Sequence, residues 1–274
     1  MLQNGHRIAV AVRTPTGDIA VEHLEVPRGF ERLKKIPFVR GVIRLYEMLV
    51  LGMKALNISA QLAYGEEMSS SRWDFLLTVG LAVVLVAGGF IALPVYLTGL
   101  AHLGNPVLFN LVEGTIRVAF FLLYLYLISF MKDIRRVFQY HGAEHKVVYA
   151  YEEGHPTLEV ARGKSTLHPR CGTAFLLLFV VISILVFSVI ISPNIWIKIA
   201  GRLLLLPVVA GIAYEMLMLG GRHPDAWWLR PLVLPGLWLQ RLTTREPTDD
   251  QLEVALAALR QVTAASEASS STTA

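Results

Sequence analysis

The chain has 274 residues, of which 54% are hydrophobic and 17% charged, and its formal net charge is +4. Its mean hydropathy is +0.52, so it carries more apolar residues than the core of a soluble protein needs. This composition argues against an ordinary soluble domain and predicts a membrane protein whose main partner is the lipid bilayer. The mild positive charge is explained by the positive-inside bias of membrane proteins, so no nucleic-acid partner is expected.

The first 36 residues are predicted to contain a small cytoplasmic β-hairpin. Residues 7–13 and 18–26 are rich in β-branched residues and flank the turn sequence TPTG. The next segment, 37–64, has helical composition, but charged residues interrupt its apolar surface. It is therefore predicted to be an amphipathic helix lying along the membrane or against the helix bundle, with a fifth span as the alternative.

Four apolar stretches are predicted to cross the membrane as two helical hairpins. They are 75–100 and 106–131, within 73–131, and 172–192 and 199–219, within 172–219. The first and third contain no charged residue and exceed the ~20 residues that span ~30 Å of hydrocarbon. The second and fourth contain charged residues, so a buried helix of a soluble protein is the alternative for each. Their length and their position next to a charge-free stretch favour spans.

The distribution of Lys and Arg predicts the orientation. Outside the predicted spans, these residues lie before, between and after the hairpins, and the short connections inside the hairpins contain only Lys198. Both termini and the loop 132–171 are therefore predicted to be cytoplasmic, in the cytoplasmic membrane. Residues 220–263 are predicted to form an interfacial segment and a C-terminal amphipathic helix, opened by a capping box at Thr248 and Gln251, and 264–274 a disordered tail.

The sequence thus predicts an all-α membrane protein with four transmembrane helices, interfacial amphipathic helices and a small N-terminal hairpin. A homo-oligomer is compatible with this architecture. The cytoplasmic loop contains the most informative motif, H-x-x-E-H, formed by His141, Glu144 and His145. Two histidines four residues apart on a helix point the same way and can bind one metal ion, while a neighbouring glutamate can act as general base. The two histidines also continue an apolar helical stripe, which argues against a simple solvated face.

A second motif, HPRC, lies just before the third predicted span. Cys171 is placed at a helix start, where the helix dipole favours the thiolate, and His168 precedes a proline and is biased to extended backbone. The span geometry brings both motifs to the cytoplasmic membrane face. Four protein ligands would make a closed, structural site, and three ligands with water would make a catalytic one. Imidazole and thiolate donors suit zinc without excluding other transition metals.

Intramembrane charges form a third group. Glu113 and Arg117 lie four residues apart and can pair along one helix face. They indicate either a functional path or a structural ion pair that fixes helix register, and the sequence leaves both open. Glu215, preceded by Tyr214, lies near the cytoplasmic end of the last span at the depth of the proposed metal site. The complete set of candidate metal ligands is His141, His145, His168, Cys171 and Glu215.

Several segments resemble the YqhQ-like family of bacterial membrane proteins of unknown function. The likeness is carried by EGTIR, YHGAEHK, HPRCGTAFLL, AYE and PGLWLQRLTTREPTDDQLEVA, and it extends over most of the chain. The resemblance implies that the residues of YHGAEH and HPRCG, Arg170 included, together with those of EGTIR and AYE, are the family's motif residues. Members are commonly labelled predicted metal-dependent enzymes, a label that rests on the same His and Cys residues. One departure is the start MLQNGHRIAVAVR, where members typically have a glycine-rich segment.

Three classes of function follow from these features. The first is a metal-dependent hydrolase at the cytoplasmic membrane face, with zinc as cofactor and Glu144 as the catalytic base. The second is a channel, transporter or oligomeric scaffold with a structural or regulatory metal site, for which the intramembrane charges are the support. The third is an adaptor that uses the β-hairpin and the C-terminal helix as docking surfaces.

Overall fold

The structure is a computed structural model that describes residues 1–26, 29–64, 72–169, 171–192, 194–223 and 226–271. The chain is mostly helical, with a small β-sheet at the N-terminus. Its helices are α1 (Val39–Tyr64), α2 (Arg72–Ala87), α3 (Leu93–Leu100), α4 (Pro106–Ile128), α5 (Lys132–Glu152), α6 (Leu158–Arg162), α7 (Thr173–Phe187), α8 (Ile195–Arg222), α9 (Arg230–Thr243) and α10 (Asp249–Ser271). Arg170 of the HPRC motif lies outside the described residues.

Within the described residues, the N-terminal sheet has three antiparallel strands in the order β1 (Leu2–Asn4), β2 (Arg7–Arg13) and β3 (Ile19–Glu25). The predicted hairpin is confirmed as β2 and β3, and its turn closes through the bond from the Gly17 N–H to the Thr14 carbonyl, 3.0 Å. The strand β1 was not predicted, because three residues of sequence LQN carry no alternating pattern. The predicted fold, helical with a small N-terminal β-hairpin, is therefore confirmed as a mostly helical fold, and the hairpin is part of a three-stranded sheet.

Strand β2 is buried on both faces, which explains its nearly continuous apolar sequence. Ile8, Val10 and Val12 pack against Leu51 and Ala55 of α1. On the opposite face Ala9 belongs to a core that α5, α6 and α10 supply, formed by Ala143, Val147, Ala150, Ala161, Leu252, Ala255, Leu256 and Leu259. The sheet is thus sandwiched between α1 and a layer that contains α5, which fixes the helix with the H-x-x-E-H motif.

Three helices within the described residues are long and apolar enough to cross a membrane: Gly80–Leu100, Pro106–Ile128 and Trp196–Arg222. These correspond to the first, second and fourth predicted spans. The third, predicted over 172–192, is the shorter apolar helix α7, which ends at Phe187. Its 15 residues rise only about 22 Å as an α-helix, less than the ~30 Å of hydrocarbon. The structure therefore supports three full-length spans where the sequence predicted four.

The apolar helices pack in a row. Helix α3 contacts α4, α4 contacts α7, and α7 packs against both α8 and α9. Helix α1 joins the other side of α8, where Gly41 allows close approach: a Cβ on Gly41 would lie 2.7 Å from the Cβ of Tyr214. The row ends at α1, which also covers the sheet. The predicted amphipathic helix over 37–64 is therefore α1, packed against both the apolar helices and the N-terminal sheet.

The C-terminal region follows the predicted order with one difference in length. Trp227, Trp228 and Trp238 are exposed around α9, as expected for an element at a membrane interface. The Gln251 side chain accepts from the Thr248 N–H at 3.0 Å, the reciprocal half of a capping box. Helix α10 then continues to Ser271, into the segment 264–274 that was predicted to be disordered. Residues 272–274 lie outside the described chain.

Candidate metal centre

Three of the predicted ligands meet at one point. His141 and His145 are one turn apart on α5, and Cys171 lies two residues before the start of α7. One ligand atom from each side chain falls within a group in which all separations are at most 4.8 Å. The Cys171 Sγ is 3.1 Å from the His141 Nε2, and the two imidazole rings are 4.4 Å apart between centroids.

Both histidines are held by backbone carbonyls through the same nitrogen. The Nδ1 of His141 is 2.8 Å from the carbonyl oxygen of Thr243, and the Nδ1 of His145 is 2.5 Å from that of Thr166. A carbonyl oxygen only accepts, so each Nδ1 must carry the hydrogen. In the neutral imidazole this leaves Nε2 as the lone-pair nitrogen, and for His141 that atom faces Cys171. Metal-binding histidines are typically held this way, with the distal N–H on a carbonyl or carboxylate.

The segment that includes Thr243, at the end of α9, packs closely against α5. The N–H of Arg245 donates to the Phe138 carbonyl at 2.9 Å, and the Arg245 carbonyl lies against Gly142. A Cβ on Gly142 would lie 2.2 Å from that carbonyl oxygen, so an alanine would push the segment away. The glycine inside YHGAEH therefore has a structural reason: it lets the end of α9 come close enough to orient His141.

The environment of Cys171 favours the thiolate. Burial alone would raise the pKa of this thiol, but hydrogen bonds and positive charge from His141 and His145 outweigh it and lower the pKa from 9.0 to about 5. The N–H of Thr173, in the first turn of α7, also points to the sulfur at 3.4 Å. The lowered pKa favours the Cys171 thiolate at neutral pH in the absence of a metal, and its cause is the two histidines rather than the helix dipole from which a thiolate was predicted.

The pKa of His141 shifts upward, opposite to that of Cys171. Burial by itself would lower the pKa of the imidazole, but the hydrogen bond and charge of the Cys171 thiolate raise it above 6.5, helped by the Thr243 carbonyl and by Glu144. Without a metal, the contact between Cys171 and His141 therefore shifts the proton from the thiol toward the imidazole. A divalent cation would replace the proton on Nε2 and use both groups as ligands.

The donor set and its spacing fit a tetrahedral metal ion. With bonds of roughly 2.0 Å to nitrogen and 2.3 Å to sulfur, zinc holds its ligand atoms roughly 3.3–3.8 Å apart. The observed group, with 3.1 Å between His141 and Cys171 and all separations within 4.8 Å, needs only small side-chain shifts to reach those values. Two imidazoles and one thiolate would leave a fourth position for water or substrate.

Glu144 lies beside this group without belonging to it. Its carboxylate receives the amino group of Met1 and is partly exposed, and its negative charge reaches His141. The carboxylate that was predicted to act as general base is therefore close to the cluster and accessible from the sheet side. Its role stays a prediction.

His168 is close to the cluster but sits in a different environment. Its ring centroid is 5.6 Å from that of His145 and 4.7 Å from that of Tyr149. Its backbone is clamped by the buried Gln240 side chain, which accepts the His168 N–H at 2.7 Å and donates to its carbonyl at 2.9 Å. His168 is 6% exposed and does not contribute to the three-residue group. As a fourth ligand it stays a prediction that requires the ring to move.

Glu215 is located away from the cluster. Its carboxylate accepts a hydrogen bond from the Arg40 Nε at 2.7 Å, pairs with the rest of the Arg40 guanidinium, and also accepts the Phe38 N–H at 3.1 Å. Tyr214 packs beside Gly41 at the same contact. In this structure the two residues join α8 to the start of α1, and Glu215 does not lie among the three clustered ligands.

The intramembrane charges Glu113 and Arg117 form the predicted ion pair along α4, and Arg202 of α8 joins them. The Arg202 Nη2 is 3.0 Å from Glu113, and all three residues are buried. Arg117 also donates to the Phe90 carbonyl at 3.0 Å and the Ser183 hydroxyl at 3.3 Å. This triad connects three apolar helices and the turn before α3, as a structural cross-link does.

Sequence reasoning missed the residues that hold the ligands. Thr166 and Thr243 act through backbone carbonyls, which no side-chain pattern reveals. Gln240 gives a weak signal, as a polar residue in an otherwise apolar segment. Arg202 is a stronger case, because a charge inside a predicted span requires a partner, and Glu113 was the available carboxylate.

These features describe a mostly helical protein with apolar helices of membrane-spanning length and a His–His–Cys cluster at the end of one apolar helix. A family profile described as a protein of unknown function (DUF1385) matches residues 36–265, and the chain belongs to this family. It is 35% identical to the uncharacterized protein YqhQ of Bacillus subtilis (strain 168), over 96% of this chain and 88% of that protein. No solved structure matches the chain.

Proposed function

We propose that this protein is a membrane protein that binds a divalent metal ion, zinc by its donor set, through His141, His145 and Cys171 at the cytoplasmic membrane face. The observation that carries this is the orientation of the two histidines: each gives its Nδ1–H to a backbone carbonyl, and His141 turns Nε2 toward a thiolate. Two histidines that served only as buried polar groups would not need to point toward the same cysteine.

The proposed topology has four crossings and cytoplasmic termini. In it α7 crosses with the help of residues 188–192, which continue its apolar sequence, and the cytoplasmic side holds α5, α6, α10 and the sheet. The support is the positive-inside asymmetry and the three helices of sufficient length. The metal site then lies at the boundary between membrane and cytoplasm, since Cys171 is two residues from α7.

The proposed activity is metal-dependent hydrolysis. A divalent ion held by three protein ligands supplies Lewis acidity toward water or toward a carbonyl or phosphoryl oxygen. The chain's own part is to keep His141 and His145 in the ligating tautomer through the two carbonyls, and to place Glu144 where its carboxylate can accept a proton. The contact of Glu144 with the Met1 amino group would have to open for this step.

The metal proposal is tested by elemental analysis of detergent-purified protein. Wild type is expected to retain about one zinc per chain after dialysis against a weak chelator, and the double variant His141→Ala/His145→Ala to retain none. The exposed His155, three residues after the end of α5, provides the control, and His155→Ala should keep its metal. Equal metal in the double variant and the wild type would overturn the proposal.

The hydrolase proposal needs a separate test. Glu144→Gln is expected to keep the metal content of the wild type and to lose hydrolysis of phosphate or carboxylate esters. A Glu144→Gln protein that hydrolyses such esters as fast as wild type would remove Glu144 from the mechanism.

A second candidate function is favoured by one specific observation, the 3.1 Å contact between the Cys171 sulfur and the His141 Nε2. A cysteine activated by a histidine, which a third group orients, is the arrangement of cysteine hydrolases and acyltransferases. Cys171 cannot serve both functions at the same time, because a metal-bound thiolate is not a free nucleophile. Alkylation by iodoacetamide separates them: added zinc should block it if the metal site is real and leave it unchanged if Cys171 acts only as a nucleophile.

A further inference from the structure

Basic side chains surround the junction of α4 and α5. Lys132, Arg135 and Arg136 are exposed in the first turns of α5 and lie three and four residues apart, so they share one face of the helix. Arg245 runs along the same turns, because its N–H donates to the Phe138 carbonyl at 2.9 Å. We call these four cations the basic surface.

The basic surface carries positive charge that the protein leaves uncompensated. Within the described residues, none of its four cations forms an ion pair, and Asp133 is the one acidic residue in the stretch 129–136. The Arg245 Nε is buried and has no hydrogen-bond partner in the described part of the chain, while its Nη2 meets the Ser129 hydroxyl at the long distance of 3.5 Å. A half-buried guanidinium with free hydrogen-bonding capacity favours an anionic ligand.

Other cations of the same assembly are neutralised by the protein itself. The buried Lys146 pairs with Glu246, and the exposed Arg162 pairs with Asp249 through two hydrogen bonds. The positive-inside bias requires basic residues on this side of the membrane, but it does not require that one group of them lack acidic partners. The basic surface therefore needs a separate explanation.

Its position in the fold identifies the partner. Helix α4, which is long and apolar enough to cross a membrane, ends at Ile128, four residues before Lys132. Between them Phe130 is 65% exposed and Met131 is 56% exposed, and the Phe130 ring packs edge-on against Tyr126 with 4.9 Å between centroids. Aromatic and apolar side chains at this level are typical of the headgroup boundary. The basic surface thus lies about one helical turn from the hydrocarbon.

We propose that the basic surface binds the headgroup of an anionic phospholipid in the adjacent leaflet, with the phosphate on the arginines and the acyl chains beside Phe130 and Met131. Arginine suits this role, because its planar guanidinium gives a phosphate two parallel hydrogen bonds. Clustered Lys and Arg directly after a membrane span are the pattern that binds anionic lipids. An acidic protein fits this place less well, because α4 and the exposed Phe130 and Met131 put hydrocarbon next to the cations.

The lipid contact would also position the proposed metal site. Arg136 precedes His141 by five residues, about 8 Å along the axis of α5, so a lipid bound at the start of this helix keeps the His–His–Cys cluster next to the membrane. The lipid site rests on the membrane position of α4 in the proposed topology. It does not depend on whether His141, His145 and Cys171 bind a metal.

The test uses the full chain in phosphatidylcholine nanodiscs with a trace of phosphatidylglycerol that carries a photoactivatable group on its headgroup. In wild type, crosslinks are expected in the stretch 129–140. Arg136→Gln should lower this labelling about fivefold and Arg135→Gln/Arg136→Gln more than tenfold, because each basic residue at a membrane surface strengthens anionic-lipid binding by about that factor. Arg260→Gln, an exposed arginine of α10, is the matched control and should label as wild type does. Equal labelling in wild type and the double variant would overturn the proposal and leave an acidic protein as the partner to seek.

Three further measurements in the same system separate the explanations. Arg135→Lys/Arg136→Lys keeps the charge and should keep most of the labelling, so a loss in the glutamine variant alone is not a folding defect. A phosphatidylcholine probe with the same group should label this stretch weakly, and equal labelling by both lipids would refute an anionic ligand. Soluble glycerophosphoglycerol in excess should compete poorly, and complete competition would refute a lipid in favour of a free phosphate ester. Zinc content measured on the same samples distinguishes the two proposals: arginine-dependent labelling in a protein without zinc would refute the metal site and support the lipid site.

Discussion

At the scale of single residues, the geometry makes Cys171 the most informative group in the chain. It is the only cysteine, so its titration can be followed by thiolate absorbance as the difference between wild type and Cys171→Ser. Because histidine charge lowers its pKa to about 5, metal-free protein should gain the thiolate signal near that pH. A midpoint near 9 would contradict the contact between Cys171 and the histidines.

The direction of the pH effect on stability follows from the same shift. A thiol whose pKa is lower in the folded than in the unfolded chain stabilises the fold fully above the unfolded-state value, 9.0 for an ordinary cysteine, and loses this contribution as the pH falls to about 5. The raised pKa of His141 acts in the opposite sense and stabilises most below 6.5.

Gly142 gives a second prediction at this scale. Gly142→Ala should displace the Arg245 carbonyl, release the Thr243 carbonyl from His141, and weaken zinc binding by about 10–100-fold, as other losses of outer-shell partners do. Competition with a chromophoric chelator measures this. Gly163→Ala is the matched control, because its added methyl group would meet only the Val160 carbonyl at 3.6 Å. Unchanged affinity in Gly142→Ala would show that the close approach does not position the ligand.

His168 decides between an open and a closed site. If three ligands bind the metal, His168→Ala should keep the metal content of wild type, because its ring stands outside the group. If the ring moves in and completes a structural site, the same variant should lose most of its metal. Elemental analysis of His168→Ala beside the double histidine variant distinguishes the two.

At the scale of elements, the buried triad explains how the row of apolar helices is cross-linked. Pro94 has no N–H, so the carbonyl of Phe90, four residues earlier, lacks its helical partner, and the Arg117 Nε donates to it instead at 3.0 Å. The π-helical turn Gly88–Ala92 lies at this place. A proline in α3 is thus tolerated because an arginine of α4 satisfies the exposed carbonyl.

Glu113→Gln tests the triad. It leaves two buried guanidinium groups without a carboxylate and should destabilise the protein by about 3–5 kcal/mol, seen as a clear loss of thermal stability in detergent. Glu253→Gln breaks the more exposed ion pair between Glu253 and Arg13, and it should lower the thermal stability far less. Similar effects of the two substitutions would mean that the triad is not the cross-link described.

Sequence patterns predicted the elements better than their contacts. The β2–β3 hairpin, the α1 amphipathic helix and the H-x-x-E-H helix follow from periodicity, which is local. The length of α7 was overestimated because apolar composition continues to residue 192, while the helix ends at Phe187. Glu215 was grouped with the metal ligands by its depth and its distance along the sequence, and neither indicates which helix face a side chain occupies.

At the scale of the whole molecule, the proposed topology follows from placing one polar assembly on the cytoplasmic side. The sheet, α5, α6 and α10 share one core, so they must lie on the same side of the membrane. In a Cys171→Ser background, Glu159→Cys should therefore react with a membrane-impermeant maleimide only after permeabilisation, and Gly104→Cys should react in intact cells. The reverse pattern would invert the proposed orientation.

The proposed metal site depends on the whole fold as well. Its ligands come from α5 and the start of α7, and their carbonyl partners come from the segment after α6 and the end of α9. No single element contains the site. His141 and Cys171 are 30 positions apart in the sequence, so only the assumed membrane topology predicted that they would meet. The topology and the site therefore support each other.

The central claim is that His141, His145 and Cys171 share one metal ion, and cobalt substitution tests it most directly. Titration of metal-free protein with Co²⁺ should produce a thiolate-to-metal charge-transfer band together with the visible absorption of a tetrahedral site, saturating at one equivalent. Cys171→Ser should lose the charge-transfer band, and His141→Ala/His145→Ala should lose both signals. Absence of the band in the wild type, or its persistence in the double histidine variant, would contradict the shared site.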